Sequence, residues 1–361
     1  MAINNDVAFK FGCGRYLQEQ GAIEKYLRIE LERFGTKALI LCGENGYAAA
    51  GERIQTAAGD FPCEFMRFHS TCCTENAEET AAYMKAHGFD LLVGVGGGVL
   101  MDEAKLVASL ANVPVINIPT SSATCAAVTP LSVMYDRESG ATIGSMKLMR
   151  EVAAVIVDLD VLIRQPARLL CAGVMDAMAK MIEINHRTYQ VPRLEISMGL
   201  DMAYVLAETT YRDFEEYTDA ALAAMEQGKV TPQFERVIFD AIAVTGVISG
   251  ISKGSNQCAI AHKFYELSRV GYYKETLPYL HGELVAVGLL PQLAYQGLDE
   301  TPVRELLTRM GLPRCFRDVG LAVTEEVRQF YAETICASTA IRDSSAASVE
   351  KMKKALESIY C

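Results

Sequence analysis

Short apolar runs alternate with stretches of helical periodicity through the first 160 residues, and this alternation constrains the fold more than any other feature. A strand buried on both faces is a continuous apolar run, whereas the crossover helices show apolar residues at 3.6-residue spacing. The runs are Lys37–Cys42, Glu64–Phe68, Phe89–Val95, Val113–Ile118 and Ala153–Val157. Such a pattern predicts a parallel sheet with helices on both faces. A hairpin of Leu131–Tyr135 and Ala141–Ser145 is expected to interrupt it.

The pattern changes after Asp160. From there on the apolar periodicity is helical, and no segment has the composition of a strand. The predicted helices are Pro166–Tyr189, Arg193–Tyr211, Asp219–Gln227, Thr231–Ser249, Gln257–Val270 and Leu284–Gln296, with several more toward the C-terminus. At 361 residues the chain is long for one core. We therefore expect an α/β, Rossmann-like N-terminal domain over residues 1–160 and an all-α C-terminal domain over residues 161–361.

Composition narrows the class of partner. The formal net charge of −11 argues against nucleic acid or an anionic membrane as the main partner. The first residues lack the basic region and apolar core of a signal peptide, and no apolar stretch is long enough to span a bilayer. The eleven cysteines show no repeated Cys-x-x-Cys spacing, so we expect reduced thiols. A cytoplasmic protein is the expectation.

The segment from Leu91 to Lys105 reads Leu-Leu-Val-Gly-Val-Gly-Gly-Gly-Val-Leu-Met-Asp-Glu-Ala-Lys, an apolar strand that enters a triple glycine and then a helix. Glycines allow a tight turn and close approach of a ligand to the backbone. The unpaired N–H groups at the start of the following helix suit a pyrophosphate. The spacing is not that of the G-x-G-x-x-G fingerprint, so a tight turn without a ligand stays open on shape alone.

Two segments in sequence order carry a resemblance to a known family. Gly96–Lys105 and Ile118–Tyr135 closely resemble the two cofactor loops of the iron-containing alcohol dehydrogenases, in their glycerol-dehydrogenase branch. The resemblance implies the dehydroquinate synthase-like architecture of an α/β domain followed by a helical one. It also implies that NAD contacts Gly97, Gly98, Val99, Leu100, Met101, Asp102, Thr120, Ser121, Thr124, Thr129, Leu131 and Tyr135.

Glu44 follows the run Lys37–Cys42 directly. It matches the family's acidic position beside the adenosine ribose. A carboxylate there accepts hydrogen bonds from a ribose diol and repels a 2′-phosphate, which favours NAD over NADP. An exposed loop acid without such a role is the competing interpretation.

Oxidation of an alcohol by hydride transfer requires the loss of its hydroxyl proton, which a divalent metal promotes. Among the five histidines, His262 lies on an apolar helical face and His281 precedes a new apolar helix. The resemblance implies that His262 and His281 are metal ligands and that Asp176, in the motif Gly173-Val-Met-Asp-Ala-Met-Ala-Lys180, is the third. Two imidazoles and a carboxylate suit zinc or ferrous iron, and glycerol-type relatives imply zinc. Lys180 and Glu183 are equally explained as an ordinary helical ion pair.

The sequence departs from the glycerol dehydrogenases at Cys125, where those enzymes carry an aspartate that is associated with holding the polyol. Cysteine is a much poorer acceptor of hydroxyl hydrogen bonds. The loss of a negative charge makes an acidic substrate more acceptable, and Lys253 is a candidate to meet its carboxylate. The predicted substrate is thus a small alcohol, a polyol or a 2-hydroxy acid with its 2-oxo counterpart, and glycerol itself is disfavoured.

Two other classes of enzyme share part of this pattern. A carbon–oxygen lyase of the dehydroquinate synthase type also binds NAD and a metal, but those enzymes generally have glutamate at the position of Asp176 and several basic residues for a phosphate. A non-haem iron oxygenase also uses two histidines and a carboxylate, yet it gives the Gly96–Lys105 turn no role. The dehydrogenase is the leading hypothesis, and the resemblance further implies a homo-oligomer, from dimer to octamer.

Overall fold

The computed structural model describes residues 9–68, 71–148, 150–253 and 257–361. Its main sheet has six parallel strands in the order β1-β8-β5-β4-β2-β3. These strands are β1 Tyr16–Glu19, β2 Ala38–Cys42, β3 Cys63–Arg67, β4 Leu91–Gly96, β5 Val115–Pro119 and β8 Ala154–Asp158. The parallel sheet predicted from the apolar runs is thereby confirmed, and β1, which has half-buried residues throughout, is an addition to it.

Four central strands explain why the runs are continuous. Every residue of β2, β4, β5 and β8 is buried. Because successive side chains in a strand point to opposite faces, complete burial means that both faces of the sheet are covered. The helices of this half of the chain are Ala22–Phe34, Glu44–Gly46, Glu52–Ala58, Thr74–His87, Gly98–Ala111 and Leu159–Leu162.

The predicted hairpin is present as β6 Leu131–Tyr135 and β7 Thr142–Lys147, which pair antiparallel with an irregularity at Met134/Tyr135. The backbone N–H of Ser139 donates to Oδ1 of Asp136 at 2.8 Å, so the aspartate closes the turn. The hairpin forms a separate two-stranded sheet.

After Leu162 the structure assigns helices, and no strand, to the described residues. The longer ones are Ala167–Thr188, Met198–Gln227, Pro232–Phe239, Thr245–Ile251, Ile260–Gly271, His281–Gln296, Thr301–Arg309, Glu325–Ala337 and Ala346–Leu356. The prediction of separate helices over 193–211 and 219–227 is wrong, because a single helix of 30 residues, Met198–Gln227, begins within the first segment and continues to the end of the second. Phe214, Thr218 and Ala221 are buried at helical spacing, so one apolar face continues through the interval between the two predicted helices.

The chain divides into two compact units, and these do not follow a single cut in the sequence. The first takes in the chain through Leu170 together with Glu215–Gly250, and the second consists of Cys171–Phe214 and Ile251–Cys361. The expected domains, 1–160 and 161–361, differ from these units mainly in the placement of Glu215–Gly250. The cause is the long helix Met198–Gln227, which passes from one unit to the other.

The expectation of reduced thiols fails for one pair, since Cys315 and Cys361 form a disulfide. The backbone N–H of Phe316 donates to the carbonyl of Ile359 at 3.1 Å and brings the two cysteines together. They lie 46 residues apart, so local sequence carried no sign of the pairing. The other nine cysteines are free thiols. No helix within the described ranges has both the length and the hydropathy needed to cross a bilayer.

Candidate functional site

Three loops of the first unit meet at the carboxyl edge of the parallel sheet. β2 pairs with β4, and β4 pairs with β5, so the residues that follow these strands are neighbours. Glu44 begins the helix after β2, Gly97 follows β4, and Thr120 follows β5 with its N–H donating to Gly96 at 2.9 Å. The chain order reverses between β2 and β4, and ligands of open α/β sheets bind at such a switch point.

The turn after β4 requires glycine at Gly98, the first residue of the helix Gly98–Ala111. A Cβ atom built there would lie 2.7 Å from Oγ1 of Thr124, closer than side chains tolerate. The turn and the loop after β5 therefore approach each other only because the side chain is absent. The helix start adjoins Gly97 and leaves N–H groups available for an anion.

Asp102 and Thr129, both predicted to contact the cofactor, lie buried around the ammonium group of Lys105. Nζ of Lys105 is 2.8 Å from Oδ1 of Asp102 and donates to the carbonyl and hydroxyl oxygens of Thr129 at 3.0 and 3.2 Å. Oδ2 of Asp102 accepts the N–H of Val133 at 3.1 Å. These contacts fix the hairpin and the loop before it to the helix that follows the glycine turn.

The remaining predicted cofactor residues of the first unit are distributed around the same loops. Val99, Leu100 and Met101 form the first turn of the helix Gly98–Ala111, with Leu100 and Met101 buried. Leu131 and Tyr135 begin and end β6, and Ser121 lies between Thr120 and Thr124 in the loop after β5. Their contacts with a dinucleotide stay a prediction.

Glu44 is exposed, and its carboxylate forms an ion pair with Arg67 at the end of β3. An acid at this place suits a ribose diol, while an arginine beside it is the group that accommodates a 2′-phosphate. The role of Glu44 toward the adenosine ribose stays a prediction.

Cys125 and Lys253 occupy turns. Cys125 is buried, and its carbonyl accepts the N–H groups of Val128 and Thr129 at 3.0 and 3.3 Å. Lys253 follows the helix Thr245–Ile251 in a left-handed conformation, with φ 59°.

The three predicted ligands converge in the second unit. Oδ1 of Asp176 is 3.2 Å from Nε2 of His262 and 3.2 Å from Nε2 of His281. One oxygen or nitrogen atom from each residue lies within 4.8 Å of the other two. Asp176 comes from the helix Ala167–Thr188, His262 from the first turn of Ile260–Gly271, and His281 begins His281–Gln296.

Glycine allows His281 to reach Asp176. A Cβ atom on Gly282 would lie 1.9 Å from the carbonyl oxygen of Ala172, so any other residue would push the two helices apart. On the other side of the ring, Tyr265 packs edge-on against His281 with ring centroids 4.1 Å apart. The close approach of the two helices at Gly282 and the packing of Tyr265 on the ring thus position His281.

His262 is fixed by Glu183, a fully buried carboxylate on the same helix as Asp176. Oε2 of Glu183 accepts a hydrogen bond from Nδ1 of His262, and Oε1 accepts the N–H groups of Ala259 and His262 at 2.7 and 2.9 Å. Gln292 accepts the N–H of Ile260 at 2.8 Å. The N–H groups at the start of this helix, which have no acceptor within the helix, are therefore hydrogen-bonded to side chains. A negative charge next to a helix N-terminus is also electrostatically favourable.

The charge states of Asp176 and His281 suit metal ligands. Burial raises the pKa of Asp176, but the nearby charge of Lys180 and the hydrogen bonds with His262 and His281 outweigh it and hold the pKa well below its usual range. Burial lowers the pKa of His281, which favours the neutral imidazole. An ionised carboxylate and a neutral imidazole are the forms that bind a metal.

Lys180 and Glu183, which the sequence explained equally well as an ordinary helical ion pair, both contact the cluster. Nζ of Lys180 donates to Oδ1 of Asp176 at 3.1 Å and lies 2.8 Å from Nε2 of His262. Their i+4 and i+7 spacing from Asp176 was the available signal, but the same spacing is typical of surface ion pairs. His186 makes no contact with this cluster among the contacts the structure records, and its Nε2 lies 3.3 Å from the carbonyl of Ala340.

Comparison with known proteins shows which family the chain resembles. A family model described as iron-containing alcohol dehydrogenase matches residues 13–159. The glycerol dehydrogenase of Thermotoga maritima is 31% identical over 329 residues, which cover 90% of this chain and 88% of that protein. Hydroxycarboxylate dehydrogenase A of Escherichia coli is 27% identical over 299 residues, with 82% and 80% covered.

A solved structure supports the same relationship. The crystal structure of a probable glycerol dehydrogenase from Sinorhizobium meliloti 1021 aligns with a TM-score of 0.81 and 27% identity, and covers 98% of this chain and 97% of that one. The family, inferred first from two loops and a helix, is confirmed over most of the chain. The protein is therefore an oxidoreductase of the iron-containing alcohol dehydrogenase family, similar to its glycerol dehydrogenases.

Proposed function

We propose that the protein transfers a hydride between NAD(H) and a small hydroxy or oxo compound, with Asp176, His262 and His281 as the ligands of a catalytic divalent metal. The observation that carries this proposal is the convergence of one carboxylate oxygen and two Nε2 atoms at a buried position. Membership of an alcohol dehydrogenase family indicates the class of reaction, and we propose that the reaction takes place at this cluster.

The geometry of the cluster fits a metal. Tetrahedral coordination with bonds of about 2.0 to 2.1 Å separates neighbouring ligand atoms by about 3.3 Å. Asp176 Oδ1 lies 3.2 Å from each histidine Nε2. Three protein ligands leave a fourth position open, as catalytic sites do. We propose zinc as the resident ion, with ferrous iron as the alternative that the same donors accept.

Each group of the chain has a defined task in this proposal. A bound divalent ion supplies the Lewis acidity that favours loss of the hydroxyl proton from an alcohol. Asp176, His262 and His281 hold that ion, and Glu183 holds the Nδ1 proton of His262, so that the neutral ring presents the lone pair of Nε2 to the ion. The turn at Gly97 and Gly98 and the start of the following helix bind the pyrophosphate of the cofactor.

The proposed substrate is a 2-hydroxy acid or the matching 2-oxo acid rather than glycerol. Cys125 stands where the glycerol dehydrogenases carry an aspartate, and a neutral thiol does not repel a carboxylate. Hydroxycarboxylate dehydrogenase A of Escherichia coli, one of the relatives, carries such a substrate class in its name. Lys253 is proposed to meet the substrate carboxylate. The homo-oligomer and the cytoplasmic location stay predictions.

A substrate panel tests the function. Metal-reconstituted protein is assayed with NAD and NADP against alcohols, polyols and 2-hydroxy acids, and with NADH and NADPH against aldehydes, ketones and 2-oxo acids. We expect NAD-linked turnover of the acids that exceeds turnover of glycerol, with one metal ion per chain by elemental analysis. Turnover without net change in reduced nicotinamide absorbance would instead indicate the lyase. Preference for glycerol or dihydroxyacetone would overturn the assignment of an acidic substrate.

A further inference from the structure

Lys180 is a buried lysine whose ammonium group lies among the proposed metal ligands. Its side chain is 5% exposed, and it follows Asp176 by one helical turn. Nζ is 3.1 Å from Oδ1 of Asp176 and 2.8 Å from Nε2 of His262, so it contacts two of the three ligand atoms directly. An ordinary helical ion pair accounts for the contact with Asp176 but does not explain the contact with His262.

We propose that Lys180 is a tethered counter-ion that takes the place of the metal between Asp176 and His262 when the metal is absent, and that competes with the metal for these atoms. This inference rests on the proposed metal site. It assigns to the chain itself a part in controlling metal affinity.

The hydrogen-bonding capacity of His262 makes the two occupants exclusive. With its Nδ1 proton donated to Glu183, the neutral ring of His262 carries a single lone pair, on Nε2. That lone pair accepts an N–H of Lys180 or binds a metal, and it cannot do both. An ammonium group has three donors and no acceptor, so Lys180 in this charge state cannot itself become a ligand.

Charge explains why such a residue is useful. The carboxylates of Asp176 and Glu183 are 6% and 0% exposed, and buried carboxylates without a compensating cation are strongly destabilising. Lys180 compensates this charge in the metal-free protein. Once a divalent ion is bound, the same ammonium is a like charge close to it and opposes binding.

Two substitutions separate charge from hydrogen bonding. Lys180→Met removes both the charge and the donor, whereas Lys180→Gln removes the charge and keeps an N–H donor. Lys263→Met is the matched control, because Lys263 follows His262 in sequence but its Nζ pairs with Glu266 at 2.9 Å. Circular dichroism of each variant establishes that it is folded.

The experiment measures zinc affinity and stoichiometry by competition with a chromophoric chelator, starting from protein stripped of metal, together with melting temperatures before and after zinc is added. We expect both Lys180 variants to bind zinc at least about tenfold more tightly than the natural protein. Their metal-free forms are expected to melt lower, so zinc raises their melting temperature by more. Lys263→Met is expected to match the natural protein in zinc affinity and in melting temperature.

Removal of a competing cation is expected to strengthen zinc binding and to destabilise the metal-free protein. Removal of a residue with only a structural role would weaken both zinc binding and the metal-free fold. Unchanged or weaker zinc binding in the Lys180 variants, with one zinc per chain in the natural protein, overturns this inference and leaves the proposed function standing. A natural protein that binds no zinc or ferrous iron overturns both.

Discussion

The carboxylate of Glu183 accepts the Nδ1 proton of His262, and the opposite nitrogen of that ring faces Asp176. One hydrogen bond thereby decides which histidine nitrogen is available to a metal. Carboxylates behind metal-bound histidines fix the ring and its tautomer in this way.

Glu183→Gln is expected to weaken metal binding about 10- to 100-fold. The backbone N–H groups of Ala259 and His262 hold the amide oxygen at the position of Oε1, so the amide NH₂ faces Nδ1. Because this NH₂ cannot accept the Nδ1 proton, the ring gains a hydrogen bond by moving its proton to Nε2, the atom that must bind the metal. Metal affinity and the ¹⁵N chemical shifts of the His262 ring check this expectation. Glu266→Gln, on the same helix as His262 but 55% exposed at its side chain, is the control. Equal affinity in the Glu183 variant and the natural protein would contradict the role.

Asp176→Asn is expected to abolish stoichiometric metal and to lower kcat/KM by at least about a thousandfold, because metal polarisation contributes several kcal/mol to the transition state. A chelator should have the same effect on the natural protein, reversible by zinc or ferrous iron. Asp201→Asn serves as control, since Asp201 pairs with Arg193 at the surface. Full activity in the metal-stripped protein would remove the metal from the mechanism.

The sequence predicted the sheet and named the three residues that converge, but it did not predict the contacts that position them. Continuous apolar runs are a local signal, and they located β2, β4, β5 and β8 to within a few residues. By contrast, the role of Glu183 depends on the approach of His262 from 79 residues away, which no local pattern encodes. β1 was missed for the same reason, because its four half-buried residues become a strand through pairing with β8.

Cys125→Asp is expected to shift the ratio of kcat/KM for glycerol over that for a 2-hydroxy acid by about tenfold or more toward glycerol. A carboxylate accepts hydrogen bonds from two hydroxyl groups and repels a substrate carboxylate. Steady-state kinetics with both substrates give the ratio. Cys125→Ser, similar in size and neutral, should leave it unchanged. The same ratio in all three proteins would remove Cys125 from substrate selection.

Lys253→Met is expected to raise the apparent KM for a 2-oxo acid severalfold, with kcat less affected, because the side chain is proposed to bind the substrate carboxylate in ground and transition states alike. An uncharged ketone of similar size is the control substrate, and its KM should not change. An unchanged KM for the acid would rule out this assignment.

Stability is expected to fall as pH rises through the neutral range because of Glu103. Burial raises the pKa of this carboxyl group from 4.5 to about 8, with hydrogen bonds from Cys72 and the Cys73 backbone opposing only in part. The folded state therefore holds a proton that the unfolded state releases between these values. The contribution of this proton to stability is complete below pH 4.5 and is lost as pH rises through 8, at up to about 1.4 kcal/mol per pH unit.

Glu103→Gln keeps a neutral side chain at every pH, so the free energy of unfolding of this variant relative to the natural protein should increase from pH 5 to pH 8. Urea unfolding across this range measures the difference, and Glu78→Gln, at an exposed position of the helix Thr74–His87, controls for the lost surface charge. Parallel stability curves for the Glu103 variant and the natural protein would mean that the buried carboxyl group is already ionised at neutral pH.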